Sequence, residues 1–329
     1  MTQTPDPSLP PTPRAIRKPK ELPLDSDTED FNMDTDSELP PLHLPSASSL
    51  LTFSGNDELS DLTPAQLYEM NQQLMNDSVP TRPLIDAVAP MSTLRSEYEN
   101  GSAAFLNEID WLIANGYDSV RRTRGDGDCF YRSLGFAYVE SFLSSLEKDF
   151  AVASSLSILS GTTEIVSRAG IEKMVYEDFY EQLVSLIQSV VTPDSHGLLL
   201  TSERLLAAFQ EAEVSNSIVM YLRFLTAAQI RLHREDYEGF VVHPDTKEIM
   251  DVDSFCAQFV ETMGKEADNV EIQALSSALH LNLDLAYLNG VRTSGVDFIP
   301  FRNDPDNMAK PLVLLYRPGH YDILVHNTR

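Results

Sequence analysis

Helical spacing of apolar residues dominates the middle of the chain. Apolar positions recur three and four residues apart, which is the period of one face of an α-helix. In the first such segment Phe105, Ile109, Leu112 and Ile113 are expected to face inward, and Gly116 is placed as the C-cap. The predicted helices span 102–115, 129–146, 176–190, 202–210, 217–233 and 253–263.

The pattern changes after Glu271, where apolar and other residues begin to alternate as they do in a half-buried strand. Strands are predicted at 281–287, 296–301, 312–316 and 321–325. No internal repeat is present. The pattern therefore predicts one α+β domain over 80–329, with a sheet built mainly from the C-terminal third.

The first 60 residues have a different composition. Half of the 20 prolines fall within residues 1–45, together with Ser, Thr and acidic runs, so a disordered tail is expected over 1–60. Residues 61–79 are predicted to hold a short amphipathic helix, at 63–76, and a linker. Leu67, Met70 and Leu74 share one face of this helix, which is either an outlying piece of the core or a docking element for a partner.

Charge and cysteine content exclude several classes of protein. A formal net charge of −26 argues against nucleic-acid binding, which needs Lys and Arg to neutralise phosphates. Only two cysteines are present, and no membrane-spanning segment is expected from the apolar runs. We expect a protein of the cytosol or nucleus, in a reducing compartment and with no membrane partner.

Cys129 is the first candidate for catalysis. It follows a loop with Gly125 and Gly127 and opens a predicted helix, and a helix N-terminus favours a thiolate. The two glycines allow a tight turn in which the N–H groups of Asp126 and Cys129 converge as an oxyanion hole.

A general base is expected elsewhere in the chain, and His320 is the best candidate. Pro318-Gly319 separates two strand-like runs and places His320 at the start of the second. Residues two apart on a strand point to the same side, so Asp322 is expected to orient the His320 ring and leave its other nitrogen for Cys129.

The remaining candidates are weaker. No other histidine has an acid at strand spacing beside a Pro-Gly turn, and Cys256 lies between Phe255 and Phe259 in a helical pattern typical of a small core residue. The scattered His and Cys show no spacing for a metal site. Neither a metal nor an organic cofactor is predicted.

The segment 121–133, RRTRGDGDCFYRS, resembles the catalytic-cysteine segment of the ovarian-tumour-domain (OTU) deubiquitinases, specifically the otubains. Residues 315–324, LYRPGHYDIL, resemble the histidine segment of that family, and 219–226, VMYLRFLT, its central helix. The resemblance extends from about residue 83 to the C-terminus. It implies a papain-like cysteine-protease fold.

The same resemblance implies the roles of the site residues. Cys129 matches the nucleophile, His320 the base and Asp322 its orienting acid, while Asp126 matches the loop aspartate whose backbone helps form the oxyanion hole. The family often has Pro at Gly125 and Asn at Asp128, so a more flexible loop and an extra negative charge that raises the thiol pKa are expected here.

The implied activity is hydrolysis of ubiquitin isopeptide bonds, with a preference for the lysine linkage that marks proteins for the proteasome. The implied partners are ubiquitin, polyubiquitin chains and ubiquitin-conjugating enzymes, and the helix of Leu67, Met70 and Leu74 is a candidate contact to a second ubiquitin. Two alternatives stay open: a non-catalytic ubiquitin-binding module that inhibits conjugating enzymes, and a papain-like peptidase with another substrate.

Overall fold

The computed structural model describes residues 82–99, 103–290, 295–305 and 310–326. The predicted tail at 1–60 and the predicted helix with Leu67, Met70 and Leu74 lie outside these residues. The strands are β1 Ile85–Pro90, β2 Ser119–Thr123, β3 Leu283–Tyr287, β4 Asp297–Phe301, β5 Leu312–Arg317 and β6 His320–Val325. The helices are α1 Met91–Glu97, α2 Ala103–Ala114, α3 Cys129–Leu143, α4 Lys148–Arg168, α5 Lys173–Gln188, α6 Ser202–Gln210, α7 Ala212–Leu232, α8 Arg234–Tyr237, α9 Val252–Phe255 and α10 Asn269–Ala278, with a π-helical turn at Cys256–Val260.

The six strands form one sheet in the order β1-β2-β6-β5-β3-β4. The β3–β5 pair is parallel and every other neighbouring pair is antiparallel. A two-residue turn joins β5 to β6, so that Arg317 pairs with His320. The second turn residue, Gly319, has a φ of +72°, which glycine adopts readily because it has no Cβ. Strand β6 therefore lies in the middle of the sheet, and its first five residues are buried.

Helix α3 packs between β6 and the long helix α7. Every residue of α3 from Cys129 to Val139 is buried, so the helix is covered on all sides rather than on one stripe. Helix α4 is the one helix in the described part of the chain that is long and apolar enough, by length and composition alone, to cross a membrane. Its buried residues Val152, Leu159 and Val166 belong to the main core.

Several predicted elements are confirmed, with small shifts at their ends. The four predicted C-terminal strands correspond to β3, β4, β5 and β6, and the helix predicted at 202–210 is α6. The positive φ of Gly116, +90°, agrees with its assignment as the C-cap of α2.

Other predictions were wrong. Leu146 is fully exposed because α3 ends at Leu143, and Ile113 is exposed rather than inward-facing. Helix α10 was not predicted, and it begins with a capping box formed by Asp268 and Glu271. Strands β1 and β2 and helices α1 and α4 were not anticipated.

Candidate functional site

Cys129 is the first residue of α3 and follows the loop 124–128. The first intrahelical bond runs from the N–H of Arg132 to the carbonyl of Asp128, at 3.0 Å. The N–H of Cys129 therefore belongs to the helix turn that has no intrahelical acceptor, where partial positive charge accumulates. The Cys129 side chain is 2% exposed.

Gly127 lies where the catalytic loop approaches a second loop most closely. Its φ is +81°, and a Cβ added to it would lie 2.2 Å from the carbonyl oxygen of Gly264. Only glycine allows both the backbone conformation and this approach.

Asp126 is held in place through its side chain. Its carboxylate accepts hydrogen bonds from the N–H of Asp128 at 3.1 Å and from Arg132 at 2.9 Å. Arg132 is fully buried and also donates to Ser215 on α7, at 2.6 Å. These bonds fix the loop that precedes Cys129, although the role of the Asp126 backbone in an oxyanion hole stays a prediction.

Asp128, the extra negative charge expected beside the thiol, is paired with a cation. Its carboxylate accepts from Nη2 and Nε of the buried Arg223, at 2.5 and 2.9 Å, and from the N–H of Gly264 at 3.1 Å. Arg223 also donates to the carbonyls of Val260 and Lys265. The Asp128 charge is therefore matched by a cation that ties the catalytic loop to the facing loop.

His320 and Asp322 make the contact that their spacing predicts. His320 Nε2 lies 2.9 Å from Asp322 Oδ1, and both side chains are fully buried. The same carboxylate oxygen accepts the N–H of Thr123, at 2.9 Å. His320 Nδ1 is buried and has no hydrogen-bond partner among the described residues. The nitrogen left for a reacting group is therefore Nδ1.

Sequence reasoning missed the cations that hold Asp322. Its Oδ2 atom accepts from Arg317 Nη2 at 2.7 Å and lies 3.2 Å from Arg122 Nε. Arg122 in turn makes a bidentate pair with Glu97, at 2.6 and 3.1 Å. For Arg317 the sequence held a signal, because the Pro318-Gly319 turn places Arg317 opposite His320 on the neighbouring strand.

Comparisons with known proteins decide the family. The profile of the Peptidase C65 Otubain family matches residues 77–326. The chain is an otubain. It is 35% identical over 258 residues to Ovarian tumor domain-containing deubiquitinating enzyme 1 of Arabidopsis thaliana, covering 74% of this chain and 80% of that protein. It is 33% identical over 242 residues to Ubiquitin thioesterase OTUB1 of Homo sapiens, covering 74% and 83%.

A solved structure has the same fold as this otubain. The structure of h/ceOTUB1 with ubiquitin aldehyde and UBC13~Ub matches with a TM-score of 0.65 and 26% identity. The match covers 79% of this chain and 96% of that one. The α+β architecture with the papain-like OTU fold is thereby confirmed.

In this otubain, burial favours the neutral forms of the Cys129 thiol and the His320 ring. Burial raises the pKa of the Cys129 thiol to about 12, a hydrogen bond from the Tyr321 backbone opposes the rise, and Asp126, Glu266 and Asp322 add to it. Burial also lowers the pKa of His320, although Asp322 acts in the opposite direction. A thiol and a neutral imidazole are therefore the resting forms.

Asp322 is the charged member of this otubain site. Burial alone would raise the pKa of its carboxyl, but the charge of Arg317 holds it well below the ordinary value, and the neighbouring His320 and Arg122 lower it further. The carboxylate is thus available to stabilise a proton that arrives on His320.

Cys256 is the other thiol of this otubain, and it is a core residue as predicted. Its side chain is fully buried in the cluster of α7, α9 and the π-helical turn, and its sulfur lies 3.7 Å from the carbonyl of Ala227. Within the described ranges no group of three or more His, Cys, Asp or Glu side chains is arranged to hold a metal ion.

Proposed function

We propose that this otubain hydrolyses ubiquitin isopeptide bonds with Cys129 as nucleophile, His320 as general base and Asp322 as its orienting acid. The observation that carries the proposal is the placement of Cys129 at the start of α3, beside the strand on which His320 and Asp322 are hydrogen-bonded. As a member of the otubain family, the chain is a cysteine-type deubiquitinase.

The reaction begins when Nδ1 of His320 takes the thiol proton of Cys129. The thiolate attacks the carbonyl carbon at the C-terminus of ubiquitin, and the resulting oxyanion is stabilised by N–H groups at the start of α3. His320 then gives the proton to the departing lysine amine as the C–N bond breaks. Water, deprotonated by His320, cleaves the thioester and returns the thiol.

The electrostatics of the site support this sequence of steps. A thiol whose pKa is about 12 needs a base in contact with it to lose its proton at neutral pH. His320 gains that proton as an imidazolium directly beside the Asp322 carboxylate, which stays charged throughout. Because both side chains are buried, the attraction between imidazolium and carboxylate is stronger than at an exposed position.

The proposal includes the partners and the linkage. Relatives of this chain have been solved with ubiquitin aldehyde and with UBC13~Ub or UBCH5B~Ub, which supports ubiquitin and ubiquitin-conjugating enzymes as partners here. The proposed linkage is the lysine linkage that marks proteins for the proteasome. The net charge of −26 suits the arginine-bearing tail of ubiquitin. The proposed location is the cytosol or nucleus, where both cysteines stay reduced.

The test is intact-mass analysis after mixing the protein with ubiquitin that carries a thiol-reactive electrophile at its C-terminus. Wild type is expected to gain the mass of one ubiquitin, and Cys129→Ala is expected to gain none. Cys256→Ala is the matched control, because Cys256 is also a free, buried thiol whose pKa is raised to about 12. It is expected to react as wild type does.

The alternative functions give different results in the same experiment. An adduct that persists in Cys129→Ala would disprove the assignment of the nucleophile. A wild type that binds ubiquitin and blocks a conjugating enzyme without forming an adduct would support the non-catalytic binding module. Cleavage of a panel of lysine-linked diubiquitins then tests the linkage, since equal rates on all linkages would contradict it.

A further inference from the structure

The Asp322 carboxylate lies between two arginine side chains that are buried. Arg317 is fully buried and donates to Oδ2 of Asp322 at 2.7 Å. Arg122 is 4% exposed and its Nε lies 3.2 Å from the same oxygen. Two cations therefore surround Oδ2 of Asp322, while the backbone N–H of Thr123 binds Oδ1.

Two cations beside Asp322 act against the chemistry that the site performs. His320 must carry a positive charge in the middle of the reaction, and Arg317 and Arg122 both lower the pKa of His320. One carboxylate cannot offset two guanidinium groups and an imidazolium at once, because all of them lie in a region that water does not screen. A second negative charge is needed near the arginines.

Glu97, the last residue of α1, supplies that charge. Its carboxylate binds Arg122 through both oxygens, at 2.6 and 3.1 Å, and lies 3.8 Å from Arg317. With Glu97 in place, two arginines face two carboxylates, and the imidazolium is the additional charge. The side chain is 26% exposed, so the Glu97 carboxylate reaches the arginines from the rim of the site.

Other groups complete the surroundings of this cluster. Tyr98 accepts a hydrogen bond from Arg317 at 3.2 Å. Arg82 lies 3.8 Å from Glu97 and 3.7 Å from Asp86, so that a further cation and a further carboxylate meet at the rim. Among the described residues, charged and titratable groups face Asp322 and His320 from several elements. They are Arg122 on β2, Arg317 on β5, Glu97 at the end of α1 and Tyr98 after it, Cys129 on α3, Asp86 on β1 and Arg82 before β1.

We propose that Glu97 is a positioning residue of the catalytic site, which neutralises Arg122 and Arg317 so that the charge of Asp322 stays available to the His320 imidazolium. Glu97 touches neither the thiol nor the scissile bond and acts through the two arginines. The inference rests on the proposed role of His320 as the base. Its direct consequence is that the proton affinity of His320 depends on a helix that contributes no reacting group.

The test is a titration of His320 by NMR in the full-length protein without ubiquitin. The Cε1–H signal of His320 is identified by its absence in His320→Gln. In Glu97→Gln the arginines lose a counter-charge, so the titration midpoint of His320 is expected to fall by about 0.5 to 1 pH unit. At pH 7 kcat/KM on a ubiquitin C-terminal amide is expected to fall about fivefold, since the imidazolium is harder to form.

Two further variants control the titration. Glu99→Gln removes a carboxylate two residues away that is 59% exposed and pairs only loosely with Arg95, at 3.7 Å, so the His320 midpoint is expected to stay at the wild-type value. Arg82→Gln removes a cation from the same cluster, and the midpoint is expected to rise. The fall expected in Glu97→Gln cannot come from general destabilisation, because loss of burial would raise the midpoint of His320. If Glu97→Gln does not fold, Arg82→Gln carries the test, since an unchanged midpoint there contradicts the proposal.

The outcomes separate clearly. A midpoint in Glu97→Gln that coincides with wild type overturns the proposal, even if activity falls. A midpoint in Arg82→Gln that does not rise overturns it as well. Because the titration is read without substrate, its failure is distinct from a failure of the proposed function, which would appear as an unreactive wild type in the ubiquitin-adduct experiment.

Discussion

Replacing Gly127 with alanine is expected to destabilise the protein and to abolish most of its activity. The residue has a φ of +81°, and its added Cβ would lie 2.2 Å from the oxygen and 2.3 Å from the carbonyl carbon of Gly264. Because both contacts are to backbone, no side chain can rotate away. One of the two loops has to move by roughly 1 Å to restore ordinary contact distances.

The magnitude follows from what holds those loops together. A left-handed conformation costs a residue with a Cβ about 1–2 kcal/mol. Moving Gly264 also disrupts its N–H bond to Asp128, 3.1 Å long, and hydrogen bonds to charged groups contribute about 1.5–3 kcal/mol. We therefore expect Gly127→Ala to lower the free energy of unfolding by about 2.5–5 kcal/mol.

Gly170→Ala is the matched control for this prediction. Gly170 has nearly the same φ, +89°, but no atom within 4 Å of an added Cβ, so only the conformational cost of about 1–2 kcal/mol should appear. Urea unfolding of both variants gives the difference, and ubiquitin hydrolysis shows whether the loop before Cys129 has shifted. If Gly127→Ala loses no more stability than Gly170→Ala and keeps its activity, the close approach of the two loops is refuted.

Two further predictions concern the charges of the site. Asp128→Asn leaves the buried Arg223 without its carboxylate and is expected to lower the free energy of unfolding by about 3–5 kcal/mol. The pH dependence of Cys129 alkylation is expected to stay unchanged, and a shifted profile would show that Asp128 acts on the thiol after all. The pKa of His320 in the folded protein is lowered from its ordinary value of 6.5, so the unfolded chain binds a proton at a higher pH than the folded protein does. The folded protein therefore has its full stability above pH 6.5 and loses stability as the pH falls through the folded pKa. Wild type should therefore lose urea stability relative to His320→Gln between about pH 7.5 and 5.5, and a constant difference would contradict the lowered pKa.

The C-terminal part of the sheet could be predicted from sequence because its strands follow the rule of alternation. Strand β2 could not, because it reads SVRRT and its two central arginines are buried. Arg121 is satisfied by Glu140 at 2.9 Å and Arg122 by Glu97. Strand β2 is thus buried with the help of ion pairs to residues distant in sequence, and it lacks the alternating hydrophobic pattern from which strands were predicted.

The candidate site shows the same division. The contact between His320 and Asp322 followed from a spacing of two on a strand, and the position of Cys129 at the start of a helix followed from the loop before it. The ion pair of Asp128 could not be predicted, because Arg223 lies 95 residues away in sequence and only the fold brings it to the loop. Local rules located the side chains of the proposed site, but not the ions that surround them.

The pairing of β6 with β2 determines when the site can assemble during folding. These neighbours are joined by bonds such as that between Thr123 and Asp322, which are 199 residues apart, so the closure of the sheet is among the most non-local events in the chain. Until β6 inserts between β2 and β5, the proposed base His320 is not in place, and two strand edges remain open to other chains. We therefore expect a product truncated before His320 to be inert as a hydrolase and prone to aggregate.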